Sequence, residues 1–366
     1  MEQNPAGATY GWGVVFSERA LSFLIESDAD SYADISAQME LWDDLTIVHR
    51  DTRVPMDGNG FSGIARLALL NILQEHCRRH GVQLCFEQRL TNLAAFDNFD
   101  LIVAADGVHS VVREMFAEQF RPRVEVLTNK YIWYGTAQVF DTLSLTFRQN
   151  NDGAFVAHHY RYSPRGSTFI VECDAATWER AGFAHMSDDA SRRYGEQVFA
   201  PDLGGHALLS NKSSWLNFRA WTNERWSYRN IVLIGDALRT VHFSIGSGTR
   251  MALEDAIALH RACIMNEGVP TALQAFEATH RPSVEKLLGV AYGSYVWYEQ
   301  FHTKMDLHPL ELAHDYMMRG GRMTHERLQR IAPRFTASYD AFQKKHHAAE
   351  LARGVVHAPD STAAET

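Results

Sequence analysis

Residues 230–255 read NIVLIGDALRTVHFSIGSGTRMALED, and the reading of this stretch decides the fold. Residues 231–234 are an unbroken apolar run, the pattern of a strand buried on both faces. Gly235 then permits a tight turn, and Asp236 puts a carboxylate at the strand's C-terminal edge. Ten residues on, Gly246-Ser247-Gly248 opens a helical pattern over residues 249–260. A strand, an acidic turn and a glycine-opened helix make a polar cradle. Amides at the helix start face an electron-rich group, and the Asp can take a ribose or ribityl hydroxyl. An ordinary βα turn would carry the same letters, so this stretch alone leaves both readings open.

Working outward, a second corner of the same kind lies at residues 100–113, DLIVAADGVHSVVR. A buried strand runs into Asp106-Gly107, and a helix start bearing Ser110 and Arg113 follows. Residues 58–63, GNGFSG, match GxGxxG by letter, but VPMD before them is no buried strand, so they read as a loop ahead of a helix at 64–80. Leu67, Leu70, Leu73 and Cys77 mark that helix's apolar stripe. Arg66 sits in its first turn, where the helix dipole disfavours a cation unless an anion lies nearby. Residues 82–87 read as a strand, and residues 19–42 as acid-rich helix. Between the corners, residues 130–139, 144–148, 154–162 and 167–173 alternate, are rich in aromatics and are separated by NNDG and SPRG turns. This is the pattern of an antiparallel sheet. Residues 281–301 are a long amphipathic helix pattern, broken near Gly289 and Gly293, and further helices run to about 343.

Composition narrows the class. The 366 residues are 46% hydrophobic and 22% charged, as in a soluble globular enzyme with one large core or two smaller ones. A net charge of −9 argues against nucleic acid or anionic membrane as partner. No apolar run is long enough to span a bilayer, and the N-terminus has no signal layout. Cys77, Cys85, Cys173 and Cys263 show no metal spacing and read as free thiols in a reducing cytoplasm. The 18 histidines include no HExxH, so no metal site is expected.

The two corners together resemble the FAD motifs of the class A flavoprotein aromatic hydroxylases, the para-hydroxybenzoate hydroxylase-like group. The VHFSIGSGT variant is similar to its salicylyl-CoA and anthraniloyl-CoA monooxygenase subgroup, as are Tyr10-Gly11-Trp12-Gly13-Val14-Val15-Phe16-Ser17 and Glu224-Arg225-Trp226. NKYIWYGT, AHHYRY and STFIVEC are shared with those enzymes and with the violacein-pathway tryptophan hydroxylase. The family begins with a βαβ unit carrying GxGxxG, whose second strand ends on an acidic residue. Glu2-Gln3-Asn4-Pro5 resembles that strand end, so the unit itself looks missing, through a late start or a truncated gene.

The resemblance implies an α/β fold: a Rossmann-like FAD-binding domain interleaved with an antiparallel β-sheet substrate domain, and a helical C-terminus. Residues 1–120 and 223–290 would form the FAD domain, 121–222 the substrate domain, 291–350 C-terminal helices and 351–366 a disordered tail. It also implies that NADH or NADPH reduces FAD, and that a hydroperoxide at flavin C4a hydroxylates an aromatic ring. The cofactor contacts implied are Glu2, Arg66, Asp106, Gly107, Arg113, Gly235, Asp236, Gly246, Gly248 and Thr249. Glu2, at the terminus, is expected to be mobile. Arg239 and His242 depart from the usual histidine and first proline of the motif, and His242 is the candidate polar group above the flavin. Trp133, Tyr134, His158 and Tyr160 are candidates for an aromatic pocket, and Arg161, Arg165, Lys212 and Arg219 for CoA phosphates. The favoured substrate is salicylyl- or anthraniloyl-CoA. A tryptophan-type indole is the alternative, and a non-catalytic fragment unable to hold FAD is a third reading.

Overall fold

The computed structural model describes residues 1–17 and 21–352. Of the tail expected at 351–366, residues 351–352 belong to the helix Pro333–Ala352, and 353–366 lie outside the described residues. The pivot is a pair of short parallel strands, Ile102–Ala104 and Ile231–Leu233, in register so that Leu233 stands opposite Ala104. Ser227–Tyr228 adds an antiparallel strand on the far side of the second. Helices Gly248–Met265 and Val269–Glu299 cover this sheet and bury Val232, Leu233, Met251, Leu259, Leu273 and Phe276 against it. The apolar run at 231–233 is therefore buried on both faces because helices and Trp226 close over it, with Ile234 partly buried at its end.

The expected antiparallel sheet is present and larger than its sequence segments. Pro122–Thr136 is a 15-residue strand, paired with Gly166–Cys173 on one edge and with Leu208–Leu209 and Leu216–Asn223 along the other. Gly153–Ser163 and Leu143–Asn150 continue the sheet. Leu45–His49 and Thr52–Met56, from the N-terminal part of the chain, complete it, the first lying parallel to Leu143–Asn150. A small sheet of Gly13–Ser17, Phe61–Ala65 and Glu40–Trp42 packs on its face. Gly63 permits that approach, since a Cβ there would lie 2.6 Å from the Arg161 carbonyl.

Several expectations need correction. Ile64 belongs to a strand, so the helix begins at Arg66 and runs Arg66–Arg79. Its buried face is Leu69, Ile72 and His76, a rotation away from the stripe read from Leu67, which is exposed. Residues 82–87 form no strand: the Glu2 amide bonds Cys85 O (2.8 Å), the Glu87 amide bonds Asn4 O (3.2 Å), and Glu87 turns away with φ 58°. Residues 22–42 fold as two short helices, Ser22–Ser27 and Ala29–Ser36, and a strand Glu40–Trp42. Val269–Glu299 is one continuous helix through Gly289 and Gly293, and Gly293 lets the 319–320 backbone come close, since a Cβ there would meet Arg319 O at 2.9 Å. Helices Pro309–Met318, His325–Ile331 and Pro333–Ala352 close the C-terminus, burying Leu312, Leu328 and Phe335 on Ile47, Val54 and Phe147. Among the described residues no helix is long and apolar enough to cross a membrane.

Candidate active site

The paired strands bring both corners out at one edge. Gly107, at φ 81°, and Gly235, at φ 58°, take the left-handed turns that follow them. At the first corner the Asp106 carboxylate accepts the amides of Val111 (2.7 Å) and Val112 (3.2 Å) and so caps its own helix. Arg113, expected as a cofactor contact, is instead a clasp. It is buried, donates Nη1 to the Ala237 carbonyl (2.9 Å) and Nη2 to that of Val108, and stacks 4.1 Å from the Trp221 ring. Three of its five N–H groups are spent on carbonyls, those of Val108, Asp236 and Ala237.

The second corner is held from behind by Asp255, fully buried in the glycine-opened helix. Its carboxylate accepts the Gly235 amide (2.8 Å), both Nη atoms of Arg239 (2.6 and 2.7 Å) and His280 Nε2 (2.8 Å). Burial alone would raise its pKa, but the bonds from His280 and Arg239 outweigh that and hold it below the usual range. The departure at Arg239 thus has a structural role.

Asp236 is the contrast. Among the described residues its carboxylate accepts no hydrogen bond; only its backbone carbonyl is engaged, by Arg113. Surrounding protein raises its pKa, against the pull of Arg66 and Arg239. The side chain is open to solvent. Arg66 is exposed, and among the described residues its guanidinium has no ion pair or hydrogen bond, its amide alone bonding Trp12 O (2.9 Å). An unpartnered carboxylate and an unpartnered guanidinium thus sense each other without touching.

The glycine turn borders the same space. Gly246, at φ 58°, lies against the small sheet, where a Cβ would come 3.2 Å from Val15 Cγ1. A Cβ at Gly248 would meet nothing within 4 Å. Ser247 does not cap the helix, because its Oγ bonds the Ile245 carbonyl (3.1 Å), so the first-turn amides of Gly248 and Thr249 have no side-chain acceptor. A free carboxylate, a free cation and uncapped amides fit a molecule with hydroxyls, phosphates and an electron-rich ring edge, as FAD has.

Opposite stands one face of the long sheet. The register places Trp133, Ile170 and His158 side by side, with Tyr131 and Glu172 one step along. Phe243 meets this face, with ring centroids 4.8 Å from Tyr131, 5.3 Å from His158 and 6.4 Å from Trp133. Tyr134 requires correction: strand alternation turns it to the other face, where its hydroxyl lies 3.2 Å from Ser191 Oγ in a cluster with Phe155, Phe169 and Phe183. Tyr160 shares the face of His158, but its hydroxyl is spent on the Gly13 carbonyl (3.0 Å) and its ring stacks on Trp42. Arg161 is likewise committed, to Glu40 and the carbonyls of Leu41, Phe140 and Asp141. Arg165, Lys212 and Arg219 are exposed. Glu2 pairs its backbone with Cys85 and Gln88 and its carboxylate with Asn4; among the described residues no hydrogen bond joins it to either corner.

Two features escaped sequence reasoning. Glu172, buried, accepts from Asn129 Nδ2 (2.8 Å) and pairs with His158 Nε2 (3.2 Å). Burial would raise its pKa, yet the His158 bond and the neighbouring histidines lower it. A lone Glu at an inward position of STFIVEC was the available signal. The second is a cavity of about 320 Å³ lined by His242, Phe218, Trp221, Tyr292 and Tyr295. His242 itself is buried, and burial brings its pKa down to about 4, so the ring is neutral at pH 7. An adjoining cavity of about 270 Å³ shares Arg123, Thr222 and Leu288 with the first and adds Arg281 and Glu285.

Comparison with known proteins agrees with this geometry. The family described as FAD binding domain matches residues 33–291. Salicyloyl-CoA 5-hydroxylase of a Streptomyces species is 38% identical over 82% of this chain, which spans 60% of that enzyme's length. Protodeoxyviolaceinate monooxygenase of Chromobacterium violaceum is 37% identical, with 86% of each chain covered. The solved fold of 2-methyl-3-hydroxypyridine-5-carboxylic acid oxygenase superposes with a TM-score of 0.65 at 16% identity, covering 90% of this chain and 88% of that one.

Proposed function

The chain belongs to the FAD-binding-domain family of class A aromatic monooxygenases, and from that premise we propose that it hydroxylates the ring of an aromatic acyl-CoA thioester, such as salicylyl- or anthraniloyl-CoA. The observation that carries this reading is the free Asp236 carboxylate beside uncapped helix amides and an aromatic sheet face. Bound FAD supplies the redox chemistry, with NADH or NADPH as reductant, O₂ as oxygen source and water as the second product.

The chain's own groups position and shield. Asp236 takes hydroxyls of the ribityl chain, and the amides of Gly248 and Thr249 meet the electron-rich edge of the ring system. Arg66 answers the phosphates. Trp133, Tyr131 and Phe243 form an aromatic wall that keeps water out of the site. The paired cavities support a substrate with a long arm: a ring in the aromatic chamber by His242 and a polar chain running past Arg123 and Arg281. Four free cysteines suit a reducing cytoplasm.

A second reading, a bulky indole-type substrate, is favoured by the even coverage of the violacein-pathway relative. The test begins with purified protein and added FAD, followed after desalting by flavin absorption. Product analysis then compares salicylyl-CoA, anthraniloyl-CoA, their free acids and tryptophan, each with NADH and with NADPH. Hydroxylation of a CoA ester and not of its free acid supports the proposal. Protein that stays colourless, or turns over the indole alone, overturns it.

A further inference from the structure

His242 sits at the end of a hydrogen-bonded chain whose direction the donor chemistry dictates. The chain starts at Arg319, whose guanidinium can only donate. It is pinned by Nη1 to the Tyr316 carbonyl (2.9 Å), by Nη2 to the Ser244 carbonyl (3.3 Å) and by stacking 3.7 Å from the Tyr316 ring. Its Nε donates to Ser294 Oγ (3.0 Å). Ser294 is buried, and its hydroxyl has one further partner among the described residues, Ser244 Oγ at 2.9 Å. A hydroxyl oxygen can accept twice, so the direction is fixed from the other end. The Ser244 amide, which can only donate, points at His242 Nδ1 (3.3 Å), so Nδ1 carries no proton. Ser244 Oγ therefore donates to Nδ1 at 2.8 Å. With that proton spent, Ser244 Oγ accepts from Ser294, which itself accepts from Arg319. Among the described residues Nε2 has no partner, and the ring borders the aromatic cavity.

We infer that Arg319, Ser294 and Ser244 are positioning residues that lock His242 as the neutral Nε2–H tautomer, so that it offers a hydrogen-bond donor, not a base, to an oxygen on the bound ring. The oxygen class is a phenolate or a thioester carbonyl, since either accepts and neither has a proton to give. Burial keeps the ring neutral at pH 7, in agreement with this geometry. The tautomer is a property of this chain alone; its use on a ring oxygen rests on the hydroxylase reading above.

The test uses full-length protein with ¹⁵N-labelled histidine. Magic-angle-spinning ¹⁵N spectra at pH 7 report which ring nitrogen is protonated, and the His242 signals are those lost in H242N. The expected pattern is a pyrrole-like Nε2 and a pyridine-like Nδ1. In S294A the Nδ1–H tautomer should gain a population of roughly a tenth or more, because Ser244 Oγ becomes free to accept. S294T, which restores the hydroxyl, should return the wild-type pattern. A protonated Nδ1 in the wild type, or an S294A spectrum identical to it, overturns the inference. With FAD and a turned-over substrate, S294A should lower kcat on the order of tenfold with KM little changed. If the spectra behave as expected and no phenolic or thioester substrate reacts, the tautomer lock stands and the hydroxylase reading fails.

Discussion

Asp106 and Asp236 each follow a three-residue strand of one parallel pair; Asp106 precedes a helix, and Asp236 lies in the first turn of the short helix Gly235–Leu238. Asp106 is spent on its own helix, accepting two first-turn amides. The Asp236 carboxylate accepts nothing from the described residues, because Asp255 has taken over the work of holding that corner together. One corner is closed and structural. The other is reinforced from behind so that its carboxylate can stay open. A carboxylate is available to a ligand only where another group has already met the backbone's demands.

The sharpest way to break this contrast is to remove the reinforcement. Arg239→Ala leaves Asp255 buried and short of its bidentate partner, so the apoprotein should lose about 3–5 kcal/mol, read from the denaturant midpoint. Asp106→Ala should cost only about 1 kcal/mol, the scale of a helix cap. Equal losses would mean that the corners are not differently built. Arg113→Met cuts the clasp between them and strands three carbonyls; a loss of about 1.5–3 kcal/mol is expected by the same readout.

Asp236→Asn sharpens the contrast from the other side. Its raised pKa means that the folded state holds the proton more tightly. Stability is therefore lost as pH rises above the ordinary carboxylate value of 3.8, and Asn should flatten that slope without harming the fold at pH 7. FAD retention should weaken roughly ten- to hundredfold by titration, the scale of one charged hydrogen bond. The effect at His242 is confined to acid. Its folded pKa is lowered from 6.5 to about 4, so stability is complete above 6.5 and is lost as pH falls from there toward 4. H242N should remove part of this acid sensitivity in pH-dependent unfolding, while His159, lowered to about 3 by its burial, keeps the remainder.

The corners were legible in sequence because their signals are local: an apolar run, an acidic turn and a glycine within a few residues. Sheet alternation was equally visible, though it could not say that residues 45–56 join the same sheet, since that pairing with Leu143–Asn150 spans nearly a hundred positions. Side-chain roles set by distant partners were not legible. Arg113 finds its acceptor 124 positions away, Glu172 finds Asn129 at 43, and Arg319 finds Ser294 at 25. Motif reading assigned Arg113 to a ligand because the motif carries no record of which carbonyls fold back onto it. Tyr134 was misplaced for a simpler reason: adjacent strand residues face opposite ways, and only one of the Trp133–Tyr134 pair can meet Phe243.

The joint between residues 102–104 and 231–233, locked by Arg113, has one more implication. Everything threaded between those points leaves and returns at a single gate. Lengthening such an excursion costs little in chain entropy, about 0.6 kcal/mol for each doubling. Longer turns can therefore be tried at little cost, while the strands Leu45–His49 and Thr52–Met56 keep the excursion's sheet anchored to the rest of the chain.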